Sequence, residues 1–379
     1  MADLETSLRT DASSNSPHQP IRLPVERTLY TPPTNEVIVV SRSLLSYTLL
    51  TLIFFVGAYT LGWFMSTSNG KTNNAAQGSA AAATSAVQPD SKANRATAPL
   101  QEPFSRDPGQ RFTTQGHEVD LAVLLSQINP PEGYTLPVKF GKIGPQLIAS
   151  GAIDRDRFVK LYEQAGQPLT AAQLAILTQG SDSPFVVDEK NTYFLLNFLW
   201  ALGLNNQNRI LTEGPMMRDG PDKIGNFAST GGWTLGTKSA VELYSHTPLI
   251  TLTPEQQTRL ETVAAAVYRP CCMNPTLFPD CNHGMAMLAM LELMASQNAT
   301  ANEMFTAAKQ VNAFWFPQQA LEMATYFKAE RGSDFAGVDA QQVVGIDLSS
   351  STGSRNVHQW LASNDLIELN GGAGSRCGV

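Results

Sequence analysis

The stretch CNHGMAMLAMLELMA, residues 281–295, decides the fold class. Beyond its first turn it is apolar on nearly every side of a helical projection, with Glu292 as its one acid. A helix of that kind is buried all round, and methionine packs such cores well. Asp280 is a good N-cap, so the pattern predicts a helix from about 281 to 297 whose first turn carries Cys281 and His283. Glu292 reads as the edge of this helix that reaches the surface. Met287, Met290 and Met294 follow His283 at i+4, i+7 and i+11, one stripe of the helix. With Met273 they would offer a soft copper(I) ligand set, but a core stripe explains them better.

A helix buried on all sides needs partners of the same kind, and the flanking sequence supplies them. DRFVKLYEQAG (154–164), NTYFLLNFLWALGL (191–204), LETVAAAVYR (260–269) and MFTAAKQVNAFWF (304–316) carry apolar residues at three- and four-residue spacing. Thr170 to Gln173, Thr253 to Gln256 and Thr300 to Glu303 match the capping box, and Pro254 sits at a favoured first helical position. Residues 218–236, RDGPDKIGNFASTGGWTLG, break the period with five glycines and one proline. They read as a long loop, a surface connection or a pocket wall, and no Gly-Lys-Ser/Thr follows to make them a phosphate cradle. The fold class is therefore mostly α: residues 115–379 form a helical globular domain with long Gly-rich loops.

Ahead of this domain the composition changes. Residues 1–42 are polar and proline-punctuated, a disordered cytoplasmic tail. Residues 43–65, SLLSYTLLTLIFFVGAYTLGWFM, hold no charge. At ~1.5 Å per residue they span roughly 34 Å, enough for the hydrocarbon core of a membrane. They read as a single transmembrane helix; the rival, a cleaved signal peptide, would have a shorter apolar core nearer the N-terminus. Residues 66–114 are Ala, Ser, Thr, Asn and Gln with few large apolar side chains, a flexible tether. Arg27 and Arg42 precede the apolar block and Lys71 follows it, a bias that places the C-terminal domain outside the cytoplasm. From residue 115 onward 17 Lys and Arg face 25 Asp and Glu, a net of −8, the wrong sign for a nucleic-acid partner.

Upstream of the apolar helix lies YRPCCMNPTLFPDCNHG, residues 268–284, with three of the four cysteines. Pro270 ends the preceding helix, and Pro275 and Pro279 hold the connection extended. At a helix N-terminus Cys281 meets unpaired amides and the positive end of the helix dipole, which favour the thiolate. Cys271, Cys272, Cys281 and His283 together make a Cys₃His set, suited to zinc or copper(I) and unlike the usual C-x₂₋₄-C knuckle in spacing. Cys377, third from the end, would cover the site or add a ligand. Two other readings stay open. One is a pair of disulfides joining the adjacent cysteines to Cys281 and Cys377. The other is a thiol–disulfide oxidoreductase centre with His283 as base. The imidazole tilts the reading to metal, because a crosslink needs none. His246 and His358 are isolated, and SSSTG at 349–353 lacks the G-x-S-x-G elbow of a serine nucleophile.

Tyr268-Arg-Pro-Cys271-Cys272, then Asp280-Cys281 and His283, with Cys377-Gly-Val at the end, resembles the exported bacterial proteins that carry a PCYCGC motif. The resemblance covers about 20 residues and the C-terminus. It implies a membrane-tethered, metal-binding protein outside the bacterial cytoplasm and carries over no activity; the metal reading itself adds a donor or acceptor protein as partner.

Overall fold

A computed structural model of the chain describes residues 110–367. The expected tail, the apolar block at 43–65, nearly all of the tether and Cys377 lie outside these residues. Among the described residues no helix is long and apolar enough to cross a membrane.

The described chain is mostly helical. Ten helices of eight or more residues appear in it: α1 (Leu121–Ile128), α2 (Ile143–Ser150), α3 (Arg155–Gln164), α4 (Ala171–Thr178), α5 (Thr192–Asn205), α6 (Pro254–Ala266), α7 (Asn282–Ser296), α8 (Ala301–Trp315), α9 (Pro317–Arg331) and α10 (Ser351–Ser363). Shorter helical turns link them. The three Thr caps act as the sequence requires. Thr170, Thr253 and Thr300 each accept the amide of the Gln or Glu three positions on, and that side chain returns to the cap. Each such cap contributes about 1 kcal/mol.

Two antiparallel strand pairs add a small sheet content that the sequence reading did not include. β1 (Arg111–Thr114) pairs β2 (His117–Asp120), with Arg111 opposite Asp120. β3 (Tyr134–Leu136) pairs β4 (Phe185–Val187), with Tyr134 opposite Val187. β1 opens just ahead of residue 115, the expected domain start, because its partner strand ends on the residue that caps α1, Asp120.

α5 and α7 are the central pair. Both are buried over nearly their whole length, as an apolar surface on every face demands. They approach until backbones touch: a Cβ on Gly203 would lie 2.2 Å from the Met285 carbonyl oxygen. α2, α3, α4, α6 and α8 pack around this pair in one core. A second core joins β2, α1, α9 and α10 with Phe335 and Val343. Met287, Met290 and Met294 are fully buried in the first core, so the stripe is packing. Glu292 is also fully buried, not at a surface edge. The helix has no exposed face there, and Asn206 Nδ2 donates to its Oε2 at 3.0 Å.

Residues 218–236 are not an open loop. Pro221–Asn226 forms a 3₁₀ turn and Ala228–Gly231 a helical turn. Trp200 Nε1 donates to the Ser229 carbonyl at 2.6 Å, and Trp233 Nε1 to the Ala152 carbonyl at 2.8 Å. The two indoles meet edge-on, 5.0 Å between centroids. The glycines allow the tight turns; the tryptophans fix the segment against the core.

Candidate metal centre

The cysteine loop connects α6 to α7 and folds back on itself. Thr276, fully buried, donates its amide and its hydroxyl to the Val267 carbonyl, at 2.8 and 3.0 Å. The amide of Phe278 bonds the Pro275 carbonyl, turning the chain again before α7. Three outer bonds pin the loop: Tyr268 N–H to Val344 O at 2.7 Å, Ser351 N–H to Cys272 O at 3.0 Å, and Ser229 N–H to Asp280 O at 3.1 Å. The last makes residues 218–236 a wall of the site, reinforced by an edge-on contact of Phe227 with Phe278.

This fold-back brings three sulfurs together. Cys271, Cys272 and Cys281 Sγ atoms are 3.5 Å apart in all three pairings. That exceeds the ~2.05 Å of a disulfide bond, so they are three sulfurs in contact rather than a linked pair and a bystander. Cys281 is buried, and Cys271 and Cys272 are partly exposed, which leaves a route of entry.

Sequence reasoning missed Arg269. It is 1% exposed, and all three of its guanidinium nitrogens donate. Nε donates to Cys281 Sγ at 3.1 Å, Nη1 to Asn274 O at 2.9 Å, and Nη2 to Asp280 Oδ1 at 2.8 Å and Phe278 O at 3.4 Å. Such a cation is held only by compensating negative charge. Burial alone would lower its pKa, but the cysteine sulfurs, Cys281 foremost, outweigh that and raise it. The signal in the sequence was Gly284. A Cβ there would lie 2.4 Å from Nη2 and 2.5 Å from Cζ of Arg269, so the guanidinium lies flat against the first turn of α7.

The cap of α7 is Cys281, one residue later than the expected Asp280. Cys281 Sγ accepts the Gly284 amide at 3.4 Å. Asp280 is taken by Arg269 and by Asn274 Nδ2 at 2.7 Å, which leaves the helix end to the sulfur. Helix dipole, amide and guanidinium thus all favour negative charge on Cys281.

Cys272 responds to that charge. A bond with Cys271 favours the Cys272 thiolate, but the bond with Cys281, burial and the charge on Cys281 prevail, and its pKa is pushed up to about 12. At 3.5 Å and an effective dielectric of 20, two thiolates repel by about 5 kcal/mol. Three cannot ionise side by side unless a metal ion neutralises them.

His283 stands apart. Neither of its ring nitrogens lies within 4.8 Å of all three sulfurs, and the metal-type cluster found among the described residues is Cys271, Cys272 and Cys281 alone. Its ring packs 4.6 Å from Phe316 and 5.6 Å from Trp315, and Nδ1 is buried without a hydrogen-bond partner. Burial lowers its pKa to about 4; the charge on Cys281 opposes the shift and Arg269 reinforces it. It is a neutral ring against aromatics, and no hydrogen bond makes it the base of Cys281. His246 bonds Thr247 and His358 bonds Glu322, both away from the sulfurs. Ser350, from the SSSTG segment, caps α10.

A groove of about 650 Å³ opens at Tyr268, lined by Tyr326, Arg331, Gln342 and Asp347 among others, and no cysteine faces it. Compared with protein-family models, with curated proteins and with solved structures, the chain has no match.

Proposed function

We propose that this protein binds a soft metal ion, zinc or copper, through the thiolates of Cys271, Cys272 and Cys281. The observation that supports this reading is the triangle of sulfurs at 3.5 Å beside a buried guanidinium. Soft thiolates suit these ions, and a bound cation relieves the repulsion between thiolates held this close. In the same proposal, residues 43–65 anchor the chain in a bacterial cell membrane and residues 66–114 tether the domain outside the cytoplasm. There it would exchange its ion with a donor or acceptor protein. Cys377 is a candidate further ligand carried by the C-terminal tail.

Elemental analysis of the purified protein, paired with a count of reactive thiols before and after chelation, tests it. One equivalent of metal and the release on chelation of three thiols, or four where Cys377 joins them, is the expected result. Chelation should also lower the melting temperature, since metal binding couples to folding. A protein that takes up neither zinc nor copper(I) with its thiols reduced would end the proposal.

The contact of Arg269 with Cys281 favours one second reading, thiol–disulfide exchange. The Cys281 thiolate would attack a partner disulfide and expel one partner thiolate; Cys271 or Cys272 would then displace the other. The protein dithiol is oxidised as the partner is reduced. This reading requires one fast-alkylating thiol in the metal-free protein and a disulfide after turnover.

A further inference from the structure

The groove at Tyr268 adjoins the cysteine loop, and at about 650 Å³ it falls within the size range of ligand sites. We propose that the protein exchanging the metal ion docks here, through a segment that presents a lysine or arginine between apolar side chains. This rests on the metal-binding reading above and gives its partner a place and a chemistry.

The groove and the metal loop share their walls. Tyr268 lines the groove and also opens the cysteine loop, its amide bonded to Val344 O at 2.7 Å. Cys271 follows it by three residues, so the two Cα atoms lie at most about 11 Å apart. On the other wall, residues 345–348 lead to Ser351, whose amide holds the Cys272 carbonyl at 3.0 Å. A segment seated in the groove therefore brings the residues next to it within reach of the partly exposed Cys271 and Cys272. Transfer then proceeds by ligand substitution: one partner ligand bonds to the ion as each cysteine–metal bond breaks, and no electron moves.

The lining sets what such a segment carries. Arg331 stacks over the Phe327 ring at 5.5 Å and bonds Glu330 at 3.1 Å, so its charge is answered within the protein. Asp347 is exposed and has no ion pair among the described residues, which leaves a carboxylate as the charge on offer. The net −8 beyond residue 115 acts in the same direction at longer range, steering a basic partner inward. Gln341 and Gln342 hold side-chain amides without a partner among the described residues, and a peptide backbone supplies the matching donors and acceptors. Apolar anchors complete the surface. Ile346 on the groove wall and Met273 beside Cys272 are two of the five large apolar side chains exposed among the described residues, so apolar surface brackets the approach to the metal.

The test selects phage-displayed random decapeptides on the reduced, metal-loaded full-length chain in detergent, then measures the affinities of the synthetic peptides by fluorescence anisotropy. Lysine or arginine flanked by apolar residues should dominate the selection. Asp347→Lys should weaken binding roughly tenfold with metal content unchanged, and changing the basic residue of the peptide to glutamate should restore binding to that variant alone. The same peptide extended by two cysteines should withdraw the metal at least roughly tenfold faster than its scrambled counterpart, since docking raises the effective concentration of the thiols. Acidic peptides, affinities indifferent to Asp347→Lys, or no selected peptide overturn the inference and leave the metal reading intact. Equal rates of withdrawal by the docked and scrambled peptides overturn it as well. A chain that binds the peptides but neither zinc nor copper(I) removes the metal reading, and the exchange role of the groove with it.

Discussion

Replacing Gly284 with alanine reverses a rule of thumb. Inside a helix, Gly→Ala ordinarily stabilises by up to about 1 kcal/mol. Here the new methyl group would sit 2.4–2.8 Å from Nη2, Cζ and Nε of Arg269, well inside contact distance. The guanidinium cannot retreat, because it is buried and holds Cys281, Asp280 and Asn274 at 2.8–3.1 Å. Losing two of those charge-assisted bonds costs about 3–4 kcal/mol against the helical gain, a net loss of roughly 2–3 kcal/mol. For a domain of this size that lowers the melting temperature by roughly 5–10 °C. Thermal unfolding of the reduced protein measures it, and Gly284→Ala in an Arg269→Ala background should cost almost nothing. A Gly284→Ala variant as stable as the parent would refute the placement of the guanidinium.

Three further outcomes are expected. Burial raises the Glu292 pKa to about 8 from an ordinary 4.5, Asn206 and Asn208 opposing, so the folded state keeps a proton that the unfolded chain releases. Stability from this group is complete below the unfolded pKa and lost as pH rises through about 8; the Glu292→Gln variant should flatten that decline in urea midpoints. Gly203→Val forces a side chain into the Met285 carbonyl and should destabilise by about 3 kcal/mol, read from the same unfolding curves; an unchanged midpoint would contradict the close α5–α7 contact. His283→Leu should preserve metal stoichiometry and weaken binding by less than the roughly tenfold that even an outer-shell partner costs, whereas loss of the bound metal would return the imidazole to the ligand set.

The helical frame was legible because its signals are local. Apolar period, Thr caps and Pro254 are written within four residues of the backbone they control: α3, α5 and α8 lie where those signals put them, and α6 starts at Pro254 as they require but ends at Ala266, short of the stop expected at Pro270. The three cysteines were legible for the same reason, since they share one short loop. The charge partners were not. Arg269 reads as an ordinary helix-end cation until Gly284 and Asp280 are seen around it. The place of His283 was not legible either, because nearness in sequence to Cys281 does not fix which way a ring on a first helical turn faces, and here it packs on Phe316. Glu292 needed Asn206, 86 residues away, to be placed inside.

The hydrogen bond from Ser351 to the Cys272 carbonyl also sets a clock on biosynthesis. Position 351 follows position 272 by 79 residues, about 4–16 s of translation at 5–20 residues per second. Over that interval the nascent chain carries its cysteines without the segment that clamps their loop. An oxidant or an ion meeting the chain in that interval would find the three thiols before the bond that clamps their loop can form.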